Sequence, residues 1–173
     1  MRVTDKYVLF WGGDCVFSNF HPCSFTVDGV QYNCSEQYFM AEKARLFKDD
    51  ASLQQILAAN NARDQKALGR KVVGFDQTAW DAQAKDVMYK GCMAKFNQDI
   101  TLLGELLRTG TKTLVEASPR DTIWGIGLHW KDKACDDSAN WKGKNLLGEV
   151  LTKVRDDLVK EIQKARDIAS TQP

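Results

Sequence analysis

Cys34-Ser35-Glu36-Gln37-Tyr38-Phe39-Met40-Ala41-Glu42-Lys43-Ala44-Arg45-Leu46-Phe47 is the stretch from which the rest of the chain can be placed. Ser35 is an N-cap candidate, and an acid and an amide follow it, as the positive end of a helix favours. Neither Gly nor Pro interrupts the residues after it, so the pattern predicts a helix. At 3.6 residues per turn Phe39, Met40, Leu46 and Phe47 share one side with Glu36 and Lys43, while Tyr38, Ala41, Arg45 and Lys48 face away. An apolar stripe that packs inward therefore takes a carboxylate and an ammonium with it. Two explanations stand side by side. Either the charges snorkel from the edges or pair as a structural salt bridge, or both line a pocket whose partial desolvation tunes them for chemistry. Two turns separate them by about 10 Å along the axis, too far for a tight i,i+4 pair. Two long side chains can still converge on a molecule held between them.

The chain has 173 residues, enough for one domain (1–173, core about 7–167) with a substantial core. A net charge of +1 announces neither a nucleic-acid nor a membrane partner, though it leaves a local basic groove open. Five cysteines, Cys15, Cys23, Cys34, Cys92 and Cys135, are odd in number and form no C-x-x-C pair. That usage points to a reducing, intracellular compartment, cytoplasmic or nuclear. No signal-peptide core follows Met1, and no apolar run is long enough to span a bilayer. The two histidines, His21 and His129, lack metal-ligand spacing, so zinc hydrolysis and a Ser-His-Asp triad both lose weight. No metal and no cofactor is expected.

Around the central helix, Tyr7 to Trp11 reads as a buried strand ending at Gly12-Gly13-Asp14. Phe17-Ser18-Asn19-Phe20 follows: a turn in which Asn19 bonds its own backbone, or a wall from which Asn19 offers its amide to a ligand between aromatics. Ser24 to Tyr32 alternates around Asp28-Gly29 and predicts a hairpin. Helices are expected at Ala51–Ala59, Ala62–Val72, Thr78–Gln98 and Leu102–Leu107, and a strand at Thr113–Ala117. Arg70 is either solvated or aimed at an anion. In Ser118 to Gly127, Pro119 constrains a loop from which Asp121 and Trp124 project, while Gly125 and Gly127 let backbone approach a ligand. Asp121 equally suits a turn cap, and Trp124 a lid on the core. Lys131 to Asn140 reads as a flexible polar insertion. Trp141-Lys142-Gly143-Lys144-Asn145 opens the last helix, and its amides with Lys142 and Lys144 make a candidate anion site. That helix runs to about Asp167, with Leu147, Val150, Leu151, Val154, Leu158 and Ile162 inward. Residues 169–173 are expected to fray.

Together, Phe17-Ser18-Asn19-Phe20, Ser35 to Phe39 leading to Lys43, Gly69-Arg70, Asp121-x-x-Trp124-Gly125 and Gly143-Lys144-Asn145-x-x-Gly148 resemble the NADAR (YbiA-like) N-glycosidases, in the same order, across roughly Phe10 to Leu158. The resemblance implies an α+β fold: a single, mostly helical domain with a small antiparallel sheet or hairpin. It also implies cleavage of N-glycosidic bonds in ribose-phosphate compounds. Some members hydrolyse early riboflavin-biosynthesis intermediates, and others remove ADP-ribose from guanine in nucleic acid. The family pattern places essential positions on Glu36, Lys43, Asp121 and Trp124. Two departures, Ile126 in place of an acidic residue and the longer polar stretch before Trp141, bear on substrate identity.

Breaking a ribose–nitrogen bond requires help for the leaving nitrogen and stabilisation of positive charge on the sugar. A neutral lysine adds a second route: attack at the anomeric carbon, ring opening to a Schiff base, then hydrolysis. The expected roles are Lys43 as nucleophile, Glu36 as proton shuttle, and Asp121 as ribose-orienting group or second acid/base. Asn19 would bind the sugar between Ser18 and Phe20, Trp124 with Gly125 would close the site, and Arg70 or the turn of Lys144 and Asn145 would hold phosphate. The expected substrate contains ADP-ribose, on single-stranded or locally opened nucleic acid, with no membrane and no obligate protein partner. A riboflavin intermediate, a non-catalytic ADP-ribose-binding module and a purely structural helical protein are the alternatives.

Overall fold

The computed structural model describes residues 1–171; the expected fraying of Gln172 and Pro173 lies outside them. The elements run β1 (Arg2–Val3), β2 (Tyr7–Phe10), β3 (Phe25–Val27), β4 (Val30–Tyr32), α1 (Ser35–Leu46), α2 (Asp50–Ala58), α3 (Ala62–Gly69), α4 (Gln77–Gln98), α5 (Ile100–Leu107), β5 (Thr113–Glu116) and α6 (Leu146–Thr171). This is the α+β, mostly helical architecture expected from the sequence.

β2 lies between β1, antiparallel, and β5, parallel. The β2–β5 register pairs Phe10 with Glu116, so the Trp11-Gly12-Gly13 turn and the Glu116 carboxyl leave the sheet at one end. The β3–β4 hairpin turns at Asp28 and Gly29, both at positive φ (51° and 79°), the conformation an Asp-Gly pair adopts readily. Among the described residues, no helix is long and apolar enough to cross a membrane.

α1 is enclosed on every side over its first two turns. Tyr38 and Ala41, expected to face away, are buried against the hairpin and the flanking helices together with Phe39, Met40 and Ala44. The stripe pattern misplaced them because a central helix has no wet face at this depth. Ser35 is not the cap either: Cys34 holds that position, its Sγ accepting from the Gln37 N–H at 3.4 Å. Ser35 is instead the first helical residue, and its buried hydroxyl has no hydrogen-bond partner.

Two buried amides tie the start of this enclosed helix to the end of α2. Gln37 accepts from the Asn33 N–H and donates to the carbonyls of Ile56 and Leu57. Gln65 donates to Ala59 O and Asn33 Oδ1, and accepts from the Cys34 thiol. On the other side, Lys95 of α4 is 1% exposed and donates to the carbonyls of Val16 (2.7 Å) and Ser18 (3.0 Å). This ammonium pins the loop before β3 without an acidic partner, and desolvation lowers its pKa.

Three sequence expectations need correction. Lys131 to Asn140 is not a flexible insertion: two short 3₁₀ turns span Lys133–Asp136 and Ser138–Asn140. Cys135 is buried there, the Trp141 indole donates to Cys135 O, and Arg2 pairs with Asp136. The last helix continues to Thr171 rather than fraying at residue 169. The third helix stops at Gly69, short of Val72.

α4 crosses α1 where Gly91 faces Tyr38; a Cβ at 91 would stand 2.4 Å from the Tyr38 ring. That ring is itself wedged between Phe25 and Tyr32 and has nowhere to retreat. Gly91→Ala is therefore expected to destabilise the protein by about 1–3 kcal/mol in denaturant unfolding, an overpacking cost that outweighs the helix propensity gained.

Candidate active site

A cleft of about 800 Å³ opens at the end of the β2–β5 pair. α1 gives its floor through Glu36, Phe39, Met40 and Lys43, and α3 with its C-cap gives one wall through Lys66 and Arg70. The loop after β2 gives Trp11, Ser18, Asn19 and Phe20, the last residue of β5 gives Glu116, and the loop after it gives Arg120, Asp121 and Trp124. Lys144 closes it from the start of α6. Glu36 and Lys43 thus share one cleft beside the tryptophan loop, and neither forms an ion pair.

The Glu36 position follows from its neighbours. Its N–H donates to Asn19 O at 2.9 Å, which ties the first turn of α1 to the aromatic loop that Lys95 anchors. The side chain is 4% exposed. Burial raises the Glu36 pKa to about 7; Lys66 and Arg70 oppose this and Asp121 adds to it. Lys43 sits two turns on, its Nζ 3.9 Å from the centre of the Phe75 ring. Burial and the nearby Arg70 lower its pKa, favouring the neutral amine. The Phe75 face favours the charged form instead.

Asp121 plays both parts that its sequence context allowed. Its Oδ1 accepts from the amides of Ile123 (2.9 Å) and Trp124 (2.8 Å), a turn cap, yet the residue lines the cleft. That cap presents Trp124, whose ring meets Phe39 edge-on at 5.1 Å, while Trp80 packs on the same Phe39 at 4.8 Å. Asn19, Ser18, Phe20 and Arg70 also line the cleft. The Asn19 side chain has no hydrogen bond among the described residues, whereas Ser18 Oγ accepts from the Phe20 N–H. Lys66 Nζ stands 5.4 Å from the Phe20 ring centre.

Two expected site residues lie outside the cleft lining. Asn145 is buried with its side chain turned to β5, its Oδ1 accepting from Glu116 N (3.0 Å) and its Nδ2 donating to Leu114 O (3.0 Å). Its amide is consumed in holding α6 to the sheet. Gly125 packs against protein instead of a ligand: a Cβ there would lie 2.9 Å from the carbonyls of both Asp121 and Glu116. The anticipated anion site at the start of α6 is also closed. The amides of Lys144, Asn145, Leu146 and Leu147 donate to the carbonyls of Thr122, Gly125, Ile123 and Trp124. From that segment Lys144, Leu146 and Leu147 line the cleft, and Lys144 is the cationic one. Ile126 is fully buried in a separate apolar cluster with Leu9, Val115 and Cys135, so it does not touch the cleft as its position beside Trp124 suggested.

Neither Glu116 nor Lys66 stood out among the residues before their placement in the fold. Glu116 is 7% exposed, and burial with the nearby Asp121 raises its pKa to about 8, against the pull of Lys66. The one available signal was an acid at the last position of an otherwise apolar strand, Thr113-Leu114-Val115-Glu116. Lys66 and Arg70 stand four apart on α3, facing the cleft together.

Residues 9–159 match the NADAR domain. Protein irg-1 of Caenorhabditis elegans is 43% identical over 171 residues, spanning 90% of this chain and 81% of its own. N-glycosidase R617 of Acanthamoeba polyphaga mimivirus is 42% identical over 165 residues, spanning 89% and 97%. The NMR structure of the E. coli protein YbiA matches this fold with a TM-score of 0.76 at 30% identity, over 94% of this chain and 90% of that one.

A carboxyl whose pKa rises on folding binds more protons in the folded than in the unfolded state, so stability falls as pH climbs from its unfolded to its folded value. For Glu36 that window runs from the ordinary carboxyl value of 4.5 to about 7. Glu36→Gln is expected to match the parent at pH 4 in urea unfolding and to exceed it above pH 7, by up to about 3 kcal/mol.

Proposed function

This chain belongs to the NADAR family, and we propose that it is an N-glycosidase that hydrolyses the ribose–nitrogen bond of ADP-ribosylated guanine in nucleic acid. R617 carries the name N-glycosidase, and the fold is shared with YbiA. The observation that carries this reading is one cleft shared by a buried carboxyl, Glu36, and an amine, Lys43, both projecting from α1. Their seven-residue spacing on α1 sets them too far apart for a tight ion pair. Here the two are left apart with room for a substrate between them, in a cavity of the size small-molecule sites have.

Charge and shape favour a diphosphate-bearing substrate. Lys66, Arg70, Arg120 and Lys144 line the cleft, and none of them pairs with a carboxylate among the described residues. Guanidinium and ammonium groups left unpaired in a half-enclosed site suit phosphate oxygens. The aromatic faces of Trp11, Phe20, Phe75 and Trp124 suit flat bases. The same cleft admits a riboflavin intermediate, a smaller ribose-phosphate compound that leaves part of this cationic lining unused.

In this mechanism Lys43 attacks the anomeric carbon as the neutral amine, and Glu36 takes the proton that the new ammonium sheds. Asp121 keeps Oδ2 free for ribose hydroxyls while Oδ1 holds the turn. Ring opening gives the Schiff base, and water releases the sugar. An oligonucleotide bearing ADP-ribosylated guanine is expected to lose ADP-ribose to the protein, with borohydride trapping an adduct on Lys43 by peptide mass. Lys43→Ala is expected to lose about 100-fold or more in kcat. Turnover of a riboflavin precursor alone would select the second substrate, and turnover of neither would end the glycosidase assignment.

A further inference from the structure

Four carboxyl groups line the cleft: the mechanism above uses Glu36 and Asp121, and the exposed Asp81 accepts from Gln77 Nε2. Glu116 is left over. It terminates β5 opposite Phe10 of β2, and its backbone is clamped from both directions. The N–H donates to Asn145 Oδ1 at 3.0 Å, and the carbonyl accepts from Ile126 N at 2.9 Å. Gly125 packs close to the same carbonyl. A position held this firmly aims its side chain in one direction, and that direction is the cleft. The residue is 7% exposed, and among the described residues its carboxyl makes no ion pair, while its one bond to a side chain is through the backbone N–H. An acid so deeply placed normally finds a partner.

The groups that face it are few. Lys66 comes from α3, Asp121 from the loop after β5, and Cys15 from the loop after β2. Glu36 of α1 feels the same Lys66 and the same Asp121, so the two glutamates share one electrostatic neighbourhood in the cleft. Asp121 is poorly placed to give up a proton, because two backbone amides already donate to its Oδ1. A group bonded that way is an acceptor by geometry.

We propose that Glu116 is the general acid of the cleft, the residue that protonates the departing base nitrogen. This rests on the glycosidase assignment of the same cleft. In the step, the Lys43 amine forms a bond to the anomeric carbon as the carbon–nitrogen bond to the base breaks. The bonding pair leaves on the base nitrogen, which takes the proton from the Glu116 carboxyl, and the lysine nitrogen sheds a proton to Glu36. One carboxylic acid becomes a carboxylate, the other the reverse, and the net charge of the pair is unchanged. Hydrolysis of the Schiff base by water then restores the free amine. The burial that keeps Glu116 protonated at neutral pH supplies the donor.

The test is the pH profile of kcat on the ADP-ribosylated oligonucleotide for the parent and Glu116→Gln, beside the melting shift each shows with free ADP-ribose. The parent is expected to lose activity above about pH 8 as the donor ionises. Glu116→Gln, which can donate a hydrogen bond but no proton, is expected to fall about 100-fold in kcat, to lose that alkaline limb, and to keep the melting shift. Activity within threefold of the parent, or a kcat loss with the alkaline limb intact, overturns the assignment. So does a folded variant that no longer binds ADP-ribose, since Glu116 would then be a binding or structural residue. If Glu116→Gln does not fold, Glu116→Asp replaces it: a kcat loss of tenfold or more at unchanged KM supports the donor role, and any other outcome overturns it. A parent inactive on every substrate removes the glycosidase assignment itself, whereas an active parent with an unaffected variant removes only Glu116.

Discussion

A helix whose first two turns have no wet face is the constraint on which this structure depends. α1 lies between the hairpin, α2, α3 and α4, so the polar groups around its start cannot turn to water. Gln37, Gln65, Asn33 and the Cys34 thiol meet that demand together, joining the start of α1 to the α2–α3 connection at Ala59. A buried network satisfied this completely fixes position as well as contributing stability, because each member has one arrangement in which nothing is orphaned. Glu36 sits beside Gln37, so its depth is set by the amides rather than by any partner of its own.

From that depth the electrostatics of the cleft follow. Water is scarce around Glu36 and Glu116, and Asp121 supplies a negative neighbour to both, so each holds its proton to higher pH than a surface glutamate. Lys66 pulls the other way on both. Among these opposed influences desolvation is the largest at each site. The loops follow the same logic of enclosed backbone. Val16 and Ser18 carbonyls turn to a buried ammonium, and the carbonyls of residues 122–125 turn to the amides opening α6. Neither loop needs a ligand to be ordered, which leaves the cleft between them largely preformed.

Much of this was legible in the residues, for identifiable reasons. Asp28-Gly29 requires positive φ, and the hairpin appeared where it was expected. Glu36 and Lys43 stood out because charge on an apolar stripe breaks a pattern. Other features broke none. Glu116 ends a strand, where an acid usually marks the way to solvent, and only the pairing with β2 turns it into a cleft. Asn145 and Gly125 have the composition of ligand-binding turns, yet the same properties, a bidentate amide and a missing Cβ, serve backbone against backbone equally well. Cys34 as a helix cap has no strong sequence signature, since sulfur is a weak acceptor, and the neighbouring serine was the natural choice. The segment from Lys131 to Asn140 looked mobile from its polarity, and what orders it is a tryptophan and a cysteine at its far end.

Lys43 rests on an aromatic face, not on an acid. Burial and Arg70 favour the neutral amine while the ring face favours the ammonium, so the charge on this nitrogen depends on the ring staying over it. A molecule that enters the cleft and pushes Phe75 aside removes a contact that favours the charge, and so tips the nitrogen toward the form that carries a lone pair.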